Sequence, residues 1–154
     1  MIIWSSNNNL EVLFDEVPSI CIRYILPSMN KDEKKSVKKY PFMNKKLLKV
    51  FVKDKRKNME YDFEIPKGYC FDGASVPRFF WRIIGSNTDN KFLVAAMVHD
   101  YMCENHDCIA SDRALSSKVF NALLETGDVG MFKRFFMKNS VDIFQKYFCH
   151  WKIK

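Results

Sequence analysis

Apolar residues change their spacing half way along this chain, and that change limits the folds open to it. Up to Ile65 they come in short β-branched and aromatic runs between polar turns; from Asn90 onward they come in long stretches at helical intervals. Leu10 to Phe14 and Ile20 to Leu26 read as strands, punctuated by Pro18 and Pro27. Leu47 to Lys53 and Met59 to Ile65 flank the polar turn Asp54-Lys55-Arg56-Lys57-Asn58 and read as a hairpin. The lysine-rich stretch Met29 to Lys39 between these pairs is a loop or short helix, read as a solvated connection.

In the second half, Asn90 to Glu104 is apolar enough for an interior helix, which places His99 and Cys103 on one face and Asp100 and Glu104 on the next. Ser111 is the expected N-cap of a following helix with Leu115, Val119, Ala122 and Leu123 on its apolar face and Gly127 as its stop. A last helical segment, about 129–151, interleaves Phe132, Phe135, Phe136, Phe144, Tyr147, Phe148 and Trp151 with Lys133, Arg134, Lys138 and Lys146. The order of elements predicts a single α+β domain over residues 1–154, an N-terminal antiparallel β-sheet with a C-terminal helical layer packed on it. A chain of 154 residues that is 47% hydrophobic has the material for one such core.

Five cysteines, an odd number without disulfide-scaffold spacing, point to a reducing compartment, most of them serving as small buried hydrophobes. The N-terminal residues lack a basic start, a long apolar stretch and a cleavage site, so no signal peptide is expected, and no run is long enough for a transmembrane segment. A net charge of +7 is compatible with nucleic acid or an anionic membrane surface as partner, but a lysine excess serves solubility equally well.

The densest chemistry lies in Asp72-Gly73-Ala74-Ser75-Val76-Pro77-Arg78 and in the dyad His99-Asp100, which ends the apolar run Phe92 to Val98. Asp72 either caps a turn or the helix after it, or pairs with Arg78, or belongs to a site. A histidine and an acid at the end of an apolar run are expensive in a core unless they are paired or ligating, so His99 and Asp100 are the first candidates for chemistry. One form of it has His99 ligating Zn²⁺ with Asp72 or Asp100 and an open position for water. The other has His99 as general base while Asp100 helps to hold Ca²⁺. The run His99-x3-Cys103-x2-His106-x-Cys108 does not fit a standard zinc knuckle and reads instead as a buried Cys103 and an exposed His106. A Ser75–His99 hydrolase lacks an evident oxyanion turn, and phosphate-loop and dinucleotide fingerprints are absent.

The ordered set Ile65-Pro66-Lys67-Gly68-Tyr69, Asp72-Gly73-Ala74-Ser75-Val76-Pro77-Arg78, Phe79-Phe80-Trp81 and Ala95-Ala96-Met97-Val98-His99-Asp100-Tyr101 resembles domain-of-unknown-function family 1353, common in bacteriophages and prophages. The likeness covers about residues 62–124. It implies a phage-type accessory or virion-associated protein. Where the family pattern carries aspartate in its A-D-x-x-F element, this chain has Ser116-Ser117 before Phe120, and Asp112, about one turn earlier, is the candidate substitute ligand.

Two classes of function follow. One is a metal-dependent hydrolase with Asp72, His99 and Asp100 at its centre and Asp112 as further ligand, a variant of which is similar to the His-Asp site of phospholipase A2. The other is a non-catalytic phage protein that binds viral or host partners, with Lys133, Arg134 and Lys146 in the aromatic-basic segment as candidate partner-binding residues.

Overall fold

The computed structural model describes residues 1–72, 90–109 and 112–126, together with Asn139. Strand β1 (Ile2–Ser6) pairs with β2 (Leu10–Phe14), β2 with β5 (Leu48–Asp54), and β5 with β6 (Met59–Ile65), all antiparallel, in the order β1-β2-β5-β6. A smaller antiparallel sheet has the order β3 (Ile20–Ile22), β4 (Phe42–Asn44), β7 (Cys70–Phe71). Helix α1 (Lys31–Lys39) lies between β3 and β4; α2 (Asn90–Glu104), the single turn α3 (His106–Ile109) and α4 (Arg113–Thr126) follow the sheets.

The β5–β6 hairpin forms as its pattern dictates. Leu48, Val50 and Val52 alternate into the core while Lys49 and Lys53 face water. Asp54 Oδ1 accepts the backbone N–H groups of Arg56 and Lys57, and Asn58 takes the left-handed conformation (φ 50°), which asparagine tolerates. Strand β1 carries one extra residue: Ile3 opposes Leu13 and Ser5 opposes Val12. The bulge sets Trp4 against the Phe14 ring (5.4 Å between centroids) and turns Ser5 inward, where its hydroxyl donates to the Ala122 carbonyl of α4.

Helix α2 is buried on every side from Leu93 to Val98, the signature of a helix inside a core rather than on its surface. It packs along α4, which in turn lies on β1 and β2. Residues of both sheets, α2 and α4 share one hydrophobic core, from Leu10, Val12 and Phe14 through Phe42 and Phe71 to Met97 and Phe120.

The structure departs from the sequence reading at identifiable places. The strand expected over Ile20 to Leu26 stops at Ile22, because the next position on the partner strand is Pro41, which has no N–H for the ladder. The stretch Met29 to Lys39, left open between a loop and a short helix, is no departure and holds the short solvated helix: the Asn30 side chain accepts the Glu33 N–H and the Glu33 carboxylate accepts the Asn30 N–H, a reciprocal capping box. Cys21, Cys70 and Cys103 are half-buried and Cys108 is exposed, so these four are not the buried hydrophobes expected. The segment Gly73 to Arg78, Ser111, and the C-terminal candidates Lys133, Arg134 and Lys146 lie outside the described residues. Among the described residues, no helix is long and apolar enough to cross a membrane.

Candidate functional site

The junction of β6, β7 and α2 is assembled by one turn. After Ile65, Pro66 to Tyr69 closes with the Tyr69 N–H donating to the Pro66 carbonyl, and Gly68 supplies the positive φ (86°) that a type II turn needs at its third position. Asn44 holds this turn to the smaller sheet: its N–H donates to the Tyr69 carbonyl and its carbonyl accepts the Gly68 N–H. The buried Asn44 side chain donates to the carbonyls of Lys46, Ile65 and Pro66. Tyr69 is thereby laid edge-on against Tyr101 of α2, 5.1 Å between centroids, and its hydroxyl donates to Glu104 Oε2 at 3.0 Å.

Four polar side chains then ride on the last turns of α2. His99 is 1% exposed and packs its ring 5.2 Å from that of Phe120 on α4. Its Nδ1 lies 3.5 Å from Asp100 Oδ1, at the outer edge of hydrogen-bond range. Cys103 Sγ is 3.6 Å from His99 Nε2 and 3.9 Å from Nδ1. A sulfur almost equidistant from the two ring nitrogens lies along neither in-plane lone pair, so the contact does not have the directed thiol–imidazole geometry of a cysteine nucleophile with its base. One turn beyond Asp100 stands Glu104, whose carboxyl group is pushed up from its ordinary range by burial and by the Asp100 charge, against the Tyr69 hydrogen bond that draws it down. Burial and then the Asp100 and Glu104 carboxylates hold the Tyr69 phenol well above its ordinary range.

His99 and Asp100 lie side by side on α2, and Tyr69 and Glu104 join them. The i, i+4 spacing of Asp100 and Glu104 is visible in the sequence; the approach of Tyr69 is not, because it depends on the Asn44 clamp. Asp72 follows β7 directly. Lys39, at the end of α1, is held above its ordinary range first by the hydrogen bond and charge of Tyr40 and in smaller part by the Asp72 carboxylate. Asp112 caps α4: its Oδ1 accepts the Leu115 N–H at 2.6 Å, and its Oδ2 lies 4.0 Å from Lys57 Nζ. Among the described residues no three His, Cys, Asp or Glu side chains form a group that could hold a metal ion, and Asp72, His99, Asp100 and Asp112 are all among those residues. His106, expected on the surface, is half-buried, with Nδ1 3.0 Å from the Cys103 carbonyl oxygen.

A family model described as a protein of unknown function (DUF1353) matches residues 46–141, well over half of the chain. The chain belongs to the DUF1353 family. The match runs from the β5–β6 hairpin past α4, beyond the 62–124 core legible from motifs. This DUF1353 chain is 44% identical over 48 residues to an uncharacterized protein of Sinorhizobium fredii, y4jT, an alignment that covers 31% of the chain and 14% of that relative. No solved structure matches the DUF1353 chain.

A pH signature follows from Glu104. Its folded-state pKa is raised, so the folded protein holds a proton that the unfolded chain releases, and stability declines as pH rises through that window from about 4.5 upward. Glu104→Gln keeps an acceptor for Tyr69 and removes the partly desolvated charge beside Asp100. Thermal melts are expected to coincide with wild type at about pH 4 and to lie above it at about pH 8. A variant that melts below wild type at the higher pH would show that the charge is stabilising.

Proposed function

We propose that this chain is a phage-type accessory protein with a hydrolytic acid–base site at the end of α2, His99 acting as general base and Asp100 as the group that orients it. The observation that carries the reading is a histidine 1% exposed at the end of an apolar helix, beside one carboxylate and a turn away from a second whose proton is held up by burial. Asp100 beside Nδ1 favours the tautomer with its proton there, which makes Nε2 the basic nitrogen. In the reaction, Nε2 takes a proton from water as the water oxygen attacks an ester-like centre, Asp100 stabilises the imidazolium that forms, and the imidazolium returns that proton to the leaving alkoxide oxygen as its bond to the centre breaks. Asp72 is the carboxylate proposed to hold the substrate at the strand end. The phage assignment draws on the family resemblance of the motifs.

Among the described residues Asp72, His99, Asp100 and Asp112 do not form a group of three that could hold Zn²⁺ or Ca²⁺, and the proposed base is therefore His99 itself. Purified protein assayed on chromogenic carboxylic esters and phosphodiesters, with and without EDTA, tests the reading. Turnover that survives EDTA supports it. Turnover that EDTA abolishes and Zn²⁺ or Ca²⁺ restores would replace it with the metal-dependent form, and no turnover on either class would remove it.

The second reading, a non-catalytic protein that binds viral or host proteins, draws on an apolar run at the edge of the smaller sheet. Ile22, Tyr24, Ile25 and Leu26 are all exposed, Tyr24 at 72%.

A further inference from the structure

On the side of the main sheet where the β1–β2 turn meets the β5–β6 turn and α4 lies a polar cavity of about 190 Å³, lined by Asn7, Asn9, Asp54, Arg56, Lys118 and Asn121. At about 30 Å³ per water molecule this is room for roughly six waters, the size of a small organic molecule. Its floor is unusual. Asp54 is 3% exposed, in the position on β5 where an apolar residue would continue the buried alternation of Leu48, Val50 and Val52. One oxygen, Oδ1, is occupied by the turn, accepting from the N–H groups of Arg56 and Lys57. The other, Oδ2, is buried with no hydrogen-bond donor among the described residues; Lys118 Nζ stands 4.0 Å away, too far for a hydrogen bond. A buried carboxylate oxygen left in this state is costly, and a ligand with an N–H or O–H donor would relieve it.

The walls are held in place. Asn7 Oδ1 accepts the N–H groups of Asn9 and Leu10, and its amide donates to Glu125, as does that of Asn121. Arg56 is anchored through Nε on Asn9 Oδ1 at 2.6 Å, which fixes its guanidinium plane at the cavity. Two cations, Arg56 and Lys118, thus stand against one carboxylate. A cationic ligand would satisfy Asp54 and bring no counter-charge to Arg56 and Lys118, a simple anion would leave Asp54 Oδ2 without a donor, and a neutral polyol would offer the two cations no carboxylate to pair with.

We propose that this cavity binds a small amino-carboxylate, an amino-acid-like zwitterion whose ammonium donates to Asp54 Oδ2 and whose carboxylate meets Lys118 and Arg56. The site is separate from His99 and does not depend on the hydrolytic reading. The test is an ¹⁵N-NMR titration of the full chain with L-serine, with inorganic phosphate and glycerol as comparison probes. L-Serine is expected to shift the amides of Asn9, Asp54, Arg56 and Asn121 saturably, and the two other probes are not. Asp54→Asn, which keeps Oδ1 for the turn, and Lys118→Met, at a half-exposed position that spares the fold, are each expected to weaken binding by about tenfold or more. Four results would overturn the proposal: no saturable shift with serine; serine binding unchanged in Lys118→Met; phosphate binding in its place, which would make the cavity an anion site; or glycerol binding equally well, which would make it a polyol site.

Discussion

Phe120→Ala is expected to lower the stability of the protein by about 3–5 kcal/mol, the range for truncating a buried aromatic. Phe120 is 2% exposed, sits on the face of α4 that packs along α2, and backs the His99 imidazole at 5.2 Å. Its removal leaves a cavity beside a buried polar ring, so the helix pair loses packing and the ring loses the surface that fixes its orientation. Urea denaturation should show a lower midpoint with an unchanged slope, the mark of lost stability without a change in the unfolded chain. Phe120→Leu, which refills most of the space, should recover the larger part of the loss. Equal losses for the two variants would mean that the ring makes an aromatic contact more important than its volume.

The second large effect is at Asn44, 1% exposed. Its amide nitrogen serves the carbonyls of Lys46, Ile65 and Pro66, so Asn44→Ala strands acceptors in the core and frees the turn that carries Tyr69 onto α2. A loss of about 2–4 kcal/mol is expected from one buried hub of this kind. Asn44→Asp is the sharper variant, since it replaces a donor by a carboxylate that faces carbonyl oxygens. Those oxygens disfavour the charged form and raise its pKa in the fold. The folded state therefore holds the proton longer than the unfolded chain, and Asn44→Asp should be closest to wild type at low pH and fall away as pH rises through the carboxylate range. An Asn44→Asp protein whose melting is independent of pH would contradict the donor role.

Much of this architecture was legible because the hydrophobic period carries it. Leu10–Phe14, Met59–Ile65 and Asn90–Glu104 have the bounds that alternation and helical spacing predict. What escaped was short or depended on distant partners. β4 and β7 are three and two residues long, too short for any period, and β7 exists because Phe42 and Met43 are there to pair with Phe71 and Cys70. The helix over Lys31–Lys39 has one buried residue, Val37, so its apolar pattern is nearly silent and its capping box is the signal that reveals it. The same division holds for the candidate site. His99 and Asp100 are adjacent in sequence and stay adjacent in the fold. Asp112, read as a ligand from its helical spacing, instead spends its Oδ1 on the Leu115 N–H, as an aspartate just ahead of a helix ordinarily does. Tyr69 and Asp54 gain their roles from residues far away in the chain, which no local motif records.

His99 and Asp100 are proposed as working groups rather than as supports of the core, and paired measurements of melting and turnover on the same preparations of His99→Gln and Asp100→Asn separate the two. The prediction is a fall in kcat/KM on the reactive ester or phosphodiester of about 10²-fold or more for His99→Gln, at temperatures where both variants remain folded, with the melting of Asp100→Asn nearly intact. Activity that declines only in step with the unfolded fraction, or that persists in folded His99→Gln, would contradict it.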